Sequence, residues 1–365
     1  MGRWWMVVAA AVGVYLAVMG CVMWPADVPA NKPPADVAPV EQSARPNLPL
    51  TGLPFRGMAM QVQRIDNVMD YGRCVDQIAQ AGADTIFFVV DSKQENGTST
   101  HIFLDMRDEP SPQKLGELID YAHRDKLRVL LMPIVLLEKP RGTEWRGTIQ
   151  PEVWEDWWDS YRDMLHHYDA VAEAHHVELF VVGSELVSTE RQTEQWTRTI
   201  RQVRRDYHGL VTYSANWDHY TTVPFWDQLD VMGLNSYYTL GEKPSVTVAQ
   251  IDAKWAPIQE AILSFGTKIH KPVIMLEVGW CSMANAAKEP WDYTKLEVPL
   301  DLDLQTRLYE SYFQTWYGKK GFGGFLIWAW TPNASGSQDR GYTPEGKPAE
   351  QVLRKWLAKG PWKVE

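Results

Sequence analysis

Short apolar runs alternate with longer amphipathic stretches along most of this chain, from Phe55 to about Ala358. The short runs are rich in β-branched residues and have no polar face, which is typical of strands buried on both sides in a parallel sheet. The longer stretches repeat apolar positions every three to four residues, which predicts helices packed against such a sheet. The predicted strands cover residues 55–61, 85–90, 128–134, 178–182, 210–215, 230–235, 273–277 and 324–328.

Helical patterns separate most of these strands. One helix is expected to begin at Ser111-Pro112, because serine caps a helix N-terminus and proline is favoured at the first helical position. The segment 218–229 is too short and irregular for a full helix. The predicted helices cover residues 66–81, 111–126, 151–175, 189–207, 248–269, 303–317 and 348–358.

Eight strands alternating with helices over about 300 residues are the order of elements in a (β/α)8 barrel, also called a TIM barrel. A doubly wound open sheet is the alternative. No GxGxxG follows the first strand and the chain contains no Walker sequence, so the nucleotide-binding versions of that sheet lose support. The sequence therefore predicts an α/β protein with one barrel domain over residues 55–360.

Two segments precede this domain. Residues 1–24 are apolar and uncharged from Trp4 to Trp24, which fits a membrane anchor or a signal peptide. The run Leu16-Ala17-Val18-Met19-Gly20-Cys21 also resembles a bacterial lipobox, so a lipoprotein and an uncleaved anchor both remain open. Residues 25–54 carry eight prolines and predict an extended linker. Either anchor predicts an exported protein tethered to a membrane, in the periplasm or at the cell surface.

Composition narrows the classes of function. The net charge is −10 and no basic stretch is dense enough to follow a phosphate backbone, so nucleic-acid binding is not expected. Three cysteines without CxxC spacing argue against a zinc site and against a disulfide scaffold. The pairs His166-His167 and His175-His176 lie on a helical pattern and read as surface histidines. No metal or organic cofactor is predicted.

Two of the predicted strands are followed or ended by a glutamate, Glu185 and Glu277. Carboxylates at the C-terminal ends of parallel strands face the ligand site of such barrels. Two of them suggest the paired carboxyl groups of a retaining glycoside hydrolase, which stand about 5–5.5 Å apart. The alternative is that one or both are buried partners of nearby Arg or Lys residues.

The sequences around these glutamates resemble glycoside hydrolase clan A, and family 113 most closely, which is known for β-1,4-mannanases. The similar motifs are Gly183-Ser184-Glu185-Leu186, Trp145-Arg146-Gly147-Thr148-Ile149, Leu276-Glu277-Val278-Gly279-Trp280 and Asp339-Arg340-Gly341-Tyr342-Thr343-Pro344. The resemblance implies Glu185 as the acid/base and Glu277 as the nucleophile. Ser184 departs from the clan pattern, where many members carry Asn before the acid/base.

Other polar and aromatic residues near strand ends are candidates for substrate binding. Tyr237 is the candidate donor of a hydrogen bond to Glu277, with a simple aromatic of the barrel rim as the alternative. Asn216 and Asn235 are expected either to bind sugar hydroxyls or to cap turns, and Trp328 to form the floor under the bound ring with Trp330 pointing the same way. The full set of candidates is Ser184, Asn216, Trp217, Asn235, Tyr237, Trp280, Trp328, Trp145 and Trp291.

The sequence therefore predicts a retaining glycosidase that cleaves a β-linked poly- or oligosaccharide, with endo-β-1,4-mannanase as the leading activity and a monomer as the expected state. Long loops after strands three and seven are expected to border the cleft, or else to plug the rim of the barrel. Residues 91–93 after strand two are expected to form a solvated loop, with contact to the substrate from the opposite rim of the barrel as the alternative. A noncatalytic carbohydrate-binding lipoprotein on the same scaffold is the competing interpretation, as is a clan A enzyme for another β-glycan.

Overall fold

Eight parallel strands form the centre of the structure, a computed structural model that describes residues 52–63, 68–295, 297–332, 334 and 336–364. The strands are β1 (Phe55–Val62), β2 (Thr85–Gln94), β3 (Arg128–Leu137), β4 (Leu179–Ser184), β5 (Leu210–Ala215), β6 (Met232–Asn235), β7 (Val273–Val278) and β8 (Phe322–Ile327). Each pairs in parallel with its neighbours in the chain, and β1 also pairs with β8, which closes the barrel. The pair Ile102–Phe103 adds a short antiparallel ladder to the end of β2.

Side chains from alternate strand positions fill the inside of the barrel. In β2, for example, Phe87 and Val89 point inward while Phe88 and Val90 pack outward against the helices. The inside is therefore a packed apolar core and not a pore. The buried residues of this inner cluster are Phe55, Ala59, Phe87, Val89, Leu130, Met132, Ile134, Leu179, Val181, Leu210, Val231, Ile274, Leu276 and Leu326.

Seven α-helices surround the barrel within the described part of the chain, and their ends follow local sequence signals. Ser111 accepts a hydrogen bond from the backbone N–H of Lys114 at the start of α2, with Pro112 at the first helical position, as predicted. Thr247 and Gln250 form a reciprocal capping box at the start of α5. The helices are α1 (Val68–Gln80), α2 (Pro112–Arg124), α3 (Trp154–Ala174), α4 (Thr193–Asp206), α5 (Val248–Lys268), α6 (Leu302–Trp316) and α7 (Pro348–Leu357).

A layer of aromatic rings lies between the strands and these helices. The fully buried tryptophans belong to it, and each contributes roughly 1.5–3 kcal/mol through burial of apolar surface. Seven of the 18 tryptophans in the sequence therefore belong to the packed core. The rings are those of Trp157, Trp158, Trp196, Trp255, Trp280, Trp316 and Trp330.

The structure confirms the predicted barrel. Residues 216–231, all of which are described, contain one short 3₁₀ turn (Trp226–Gln228) where other strand connections carry a helix, which agrees with the predicted irregular segment. The prediction of a solvated loop at residues 91–93 is wrong. The strand β2 continues to Gln94 because it pairs with β3 along its whole length, and Asp91 and Ser92 are buried.

The predicted anchor and all but the last three residues of the predicted linker lie outside the described residues. Within the part of the chain that is described, no helix is both long and apolar enough to cross a membrane. Leu53 packs against the inner cluster, and Trp362 stacks on Phe322. The packed unit thus extends slightly beyond the predicted limits of 55–360.

Candidate active site

An extra residue in β4 sets the direction of the carboxyl group that follows it. Val181 pairs with Thr212 and Ser184 pairs with Ser214, so three steps on β4 are matched by two on β5. Such a bulge re-aims side chains locally. Glu185 comes directly after it with φ of +55°, a left-handed conformation that is uncommon for a residue other than glycine and is concentrated at functional sites.

A second bulge lies just before Glu277 in β7. Leu234 pairs with Met275 and Asn235 pairs with Glu277, so one extra residue stands between them on β7. Ile274 and Leu276 belong to the inner cluster, and plain alternation would therefore turn Glu277 outward with Met275. The bulge instead leaves Val278 on the outer side and Glu277 at the mouth of the barrel.

Glu185 is 5% exposed and is held by one residue at the end of β6 and one in the loop after β3. The side-chain amide of Asn235 donates a hydrogen bond to one of its carboxylate oxygens, and Arg146 Nε lies 3.2 Å from the other. The carbonyl end of the Asn235 amide accepts from the backbone N–H of Trp217 at 2.9 Å. Both ends of this amide are thus engaged in positioning Glu185 and the loop after β5.

Glu277 is 6% exposed and accepts a hydrogen bond from the Tyr237 hydroxyl at 3.1 Å, the contact that the sequence suggested. Burial, and next to it the charge of Glu185, raise the pKa of Glu277 to about 7, while Arg146 and the Tyr237 hydrogen bond oppose the rise. Two neighbouring carboxylates resist being ionised together. The predicted role of nucleophile requires an ionised Glu277, and in the free protein burial works against that ionisation.

Arg146 was not among the predicted site residues, and the structure places it at the centre of the charge distribution. Besides contacting Glu185, its charge acts against the burial that raises the pKa values of Asp91 and Tyr293. It also acts to keep Glu277 ionised. The available signal was its position in Trp145-Arg146-Gly147-Thr148-Ile149, a motif shared with family 113 in the loop after a barrel strand.

Gly147 leaves room for the ring of Trp145, the residue before Arg146. A Cβ at position 147 would lie 2.3 Å from a carbon of that ring, so only glycine leaves room for it. The ring is half-buried, and it is one of the predicted sugar-binding aromatics. The loop therefore presents an aromatic face and a guanidinium group together.

The loops after β7 and β8 are fastened to one another by a buried lysine. Lys347 Nζ lies 2.9 Å from Asp339 Oδ1, 3.0 Å from Ser282 Oγ and 2.9 Å from the Gly341 carbonyl. Tyr342 donates to the Pro290 carbonyl at 2.7 Å, and its ring centroid lies 6.3 Å from that of Tyr237. The Asp339–Pro344 motif thus supports the tyrosine that binds Glu277.

Four of the remaining candidates are Ser184, Trp328, Trp291 and Asn216. Ser184 is buried beside Glu185, and its hydroxyl has no hydrogen-bond partner among the described residues. Trp328 and Trp291 are half-buried, and Trp328 packs on the top of the inner cluster. Asn216 donates to Asp218 at 2.8 Å and so closes a turn.

Two expectations about tryptophans need correction. Trp280 is fully buried between the barrel and α6, edge-on to Tyr309 and Tyr312, so its ring is not available to a sugar. Trp328 and Trp330 do not point the same way, because β8 ends at Ile327 and Trp330 packs into the outer aromatic layer. Trp217 is half-buried and lies edge-on to Tyr238, and its role in substrate binding stays a prediction.

Glu277→Gln should stabilise the fold more at pH 8 than at pH 5. The folded-state pKa of about 7 is raised above the ordinary value of 4.5, so the stability linked to the protonated carboxyl is present below pH 4.5 and lost as the pH rises through 7. The difference between the folded-state and ordinary pKa values corresponds to about 3 kcal/mol in the free energy of unfolding, at about 1.4 kcal/mol per pKa unit. Thermal unfolding at both pH values measures it, with the exposed Glu242→Gln as the control. An equal change in melting temperature at the two pH values would contradict a raised pKa of Glu277.

A closed parallel barrel with two neighbouring, buried carboxyl groups at the C-terminal ends of its strands is typical of glycoside hydrolases. The sequence matches Glycoside Hydrolase Family 113 over residues 70–347, and the chain belongs to that family.

Solved structures of the same family are similar to this chain over nearly their whole length. A GH113 β-mannanase from Alicyclobacillus acidocaldarius is 27% identical with a TM-score of 0.76, covering 85% of this chain and 99% of that one. A GH113 β-1,4-mannanase in a complex is 26% identical with a TM-score of 0.75, covering 84% and 99%. A β-glucuronidase from Dictyoglomus thermophilum, 14% identical with a TM-score of 0.60 over 86% of this chain and 52% of its own, shares the fold. No curated protein matches the sequence.

Proposed function

We propose that this enzyme is an endo-β-1,4-mannanase that cleaves by double displacement, with Glu185 as the acid/base and Glu277 as the nucleophile. The observation that carries the proposal is the neighbouring pair of buried carboxyl groups, each next to a bulge in its own strand. Membership of family 113 and the similarity to solved β-mannanases support the substrate class.

In the first step, Glu277 attacks the anomeric carbon while Glu185 gives its proton to the departing glycosidic oxygen. In the second, Glu185 takes a proton from a water molecule, which attacks the same carbon and releases Glu277. Two inversions leave the configuration unchanged. Asn235 holds Glu185 in line, and Tyr237 holds Glu277.

The two carboxyl groups together need one proton for this reaction. The charge of Glu185 contributes to raising the pKa of Glu277 to about 7, so the free pair takes up a proton as the pH falls through that value. At the moment of cleavage the proton must be on Glu185. Arg146 and Tyr237 favour that distribution, because both act to lower the pKa of Glu277.

Tyr237→Phe should reduce kcat/KM about tenfold or more and move the acidic limb of its pH profile to higher pH. Loss of the hydroxyl removes a hydrogen bond that favours ionised Glu277, so the nucleophile becomes protonated at a higher pH. The measurement is the pH dependence of kcat/KM on a soluble mannan oligosaccharide. Tyr238→Phe is the matched control. The Tyr238 hydroxyl donates a hydrogen bond to the Trp217 carbonyl at 2.9 Å, and among the described residues it does not bond to either glutamate. An unmoved acidic limb in Tyr237→Phe would count against this role.

The substrate is tested by incubating the purified enzyme with a panel of polysaccharides that includes β-1,4-mannan, galactomannan, glucomannan, β-1,4-glucan and β-1,4-xylan. We expect a rapid fall in viscosity and short oligosaccharides from the mannans. Release of sugar from glucan or xylan, with none from the mannans, would show that the substrate is not mannan. Tight binding without any product would favour a noncatalytic carbohydrate-binding protein.

We further propose that the enzyme acts as an exported monomer tethered to a membrane by residues 1–24. The uncharged apolar run from Trp4 to Trp24 supports this location. Fractionation of cells followed by labelling with a radioactive fatty acid distinguishes lipidation at Cys21 from an uncleaved anchor. Recovery of the whole protein in the cytosolic fraction would contradict both.

A further inference from the structure

His166, Asp169 and Asp206 bring one imidazole and two carboxylates together between α3 and α4. One ligand atom from each residue can be chosen so that all lie within 4.8 Å of one another. His166 and Asp169 are three residues apart on one face of α3, and Asp206 is the last residue of α4. The sequence predicts a surface histidine at position 166, because the residues next to it in the chain give no metal-ligand spacing. The third ligand comes from the next helix.

Asp169 is an unusual member of this group because it is completely buried. Its side chain is 0% exposed, and neither carboxylate oxygen has a hydrogen-bond partner among the described residues. A buried carboxylate without hydrogen bonds is costly unless it is protonated or a cation compensates it. The His166 imidazole, 3.4 Å away at its Nδ1, is the cationic or metal-binding group that faces it.

Two of the three separations between the ligand atoms match those around a small tetrahedral ion, and the third is within 4.8 Å. His166 Nδ1 lies 3.4 Å from Asp169 Oδ1 and 3.5 Å from Asp206 Oδ2. Ligands about 2.0–2.1 Å from a tetrahedral zinc ion are separated from one another by about 3.3–3.4 Å. A mixed nitrogen and oxygen set suits Zn²⁺, whereas Ca²⁺ and Mg²⁺ take oxygen ligands.

The surroundings of Asp206 also favour a cation. Its carboxylate lies at the C-terminus of α4, where the helix dipole is negative. Among the residues that the structure describes, Arg205 is the positive side chain that pairs with it besides His166; it lies 3.3 Å away and is 70% exposed, and an ion pair so exposed is weak.

From these observations we propose that His166, Asp169 and Asp206 form a Zn²⁺ site that joins α3 to α4, with water completing the coordination. Both helices end at the starts of barrel strands, α3 before β4 and α4 before β5. The site therefore lies toward the end of the barrel opposite Glu185 and Glu277. Its role is to brace two neighbouring helices, and it takes no part in the reaction.

The test is zinc binding by the purified full chain after removal of metal with a chelator. Equilibrium dialysis should show one Zn²⁺ per chain, and zinc at a hundred times its Kd should raise the melting temperature by about 5 °C. Cobalt in place of zinc should give the intense visible absorption of a tetrahedral site. Turnover of substrate should be the same with and without zinc.

His166→Ala and Asp169→Asn should each lose this equivalent of zinc and the rise in melting temperature. Asp163→Asn is the matched control, because Asp163 is exposed on the same helix and its replacement removes the same charge. Equal zinc uptake by Asp169→Asn and the unmodified protein would overturn the proposal, and so would the absence of stoichiometric binding. If Asp169→Asn does not fold, the His166→Ala variant alone decides, since His166 is 60% exposed.

Discussion

Replacement of Glu277 by Ala or Gln should reduce turnover by roughly 10⁴-fold or more on every substrate, because no glycosyl–enzyme bond can form. Glu185→Ala should slow substrates with poor leaving groups by roughly 10²–10⁴-fold and activated aryl glycosides much less, since their departure needs little protonation. Initial rates on a mannan oligosaccharide and on an aryl mannoside measure the two effects. Glu190→Gln is the control for a buried glutamate that does not act on the sugar; it accepts a hydrogen bond from Tyr213 at 3.0 Å.

Azide separates the two roles further. In Glu185→Ala it should attack the trapped intermediate and give the β-glycosyl azide, with retained configuration. In Glu277→Ala it should replace the nucleophile and give the α-glycosyl azide. The opposite pair of products would reverse the assignment, and full activity in either variant would remove the mechanism.

Arg146→Met should lower kcat/KM by roughly 10²–10³-fold. Its guanidinium contacts Glu185 and acts to keep Glu277 ionised, so its loss leaves buried carboxyl groups without a nearby positive charge. The pKa of Glu277 should rise further, and the acidic limb of the kcat/KM profile should move to higher pH. The pH profile of kcat/KM measures both effects.

Two other arginine variants complete this experiment. Arg146→Lys keeps the positive charge, so the acidic limb of its kcat/KM profile should stay close to that of the unmodified enzyme. The lysine cannot make the planar contact of the guanidinium group with Glu185. Arg141→Met removes an arginine of the same loop that pairs with Glu144 and is 57% exposed, and it should leave activity unchanged. If Arg146→Met and Arg141→Met behave alike, Arg146 has no special role at the site.

Much of the fold could be predicted because its signal is repeated along the chain. Eight apolar runs separated by amphipathic stretches leave few alternatives to a barrel, and Ser111-Pro112 marks a helix start through purely local chemistry. The end of β2 was missed because Asp91 and Ser92 read as polar loop residues. They are buried by pairing with β3, a long-range contact that leaves no local pattern.

The site was less predictable because it depends on contacts between distant strands. Strand-end position was enough to select Glu185 and Glu277 as candidates. It could not reveal that Asn235 uses both ends of its amide to hold Glu185 and a neighbouring loop, or that Arg146 comes from the loop after β3. Trp280 was misjudged for the same reason, since a residue next to a catalytic motif can equally well pack under a helix.

The bulges in β4 and β7 give these strands a sensitivity to length that loops do not have. Loss of a single codon upstream of Glu277 would remove the extra residue of β7 and move the carboxyl group by one residue position, about 3.3 Å, along the strand and away from the Tyr237 hydroxyl. The same loss in a surface loop would leave both glutamates where they are. During divergence of the gene, insertions and deletions are therefore expected to accumulate in the loops, while the codon counts of β4 and β7 stay fixed.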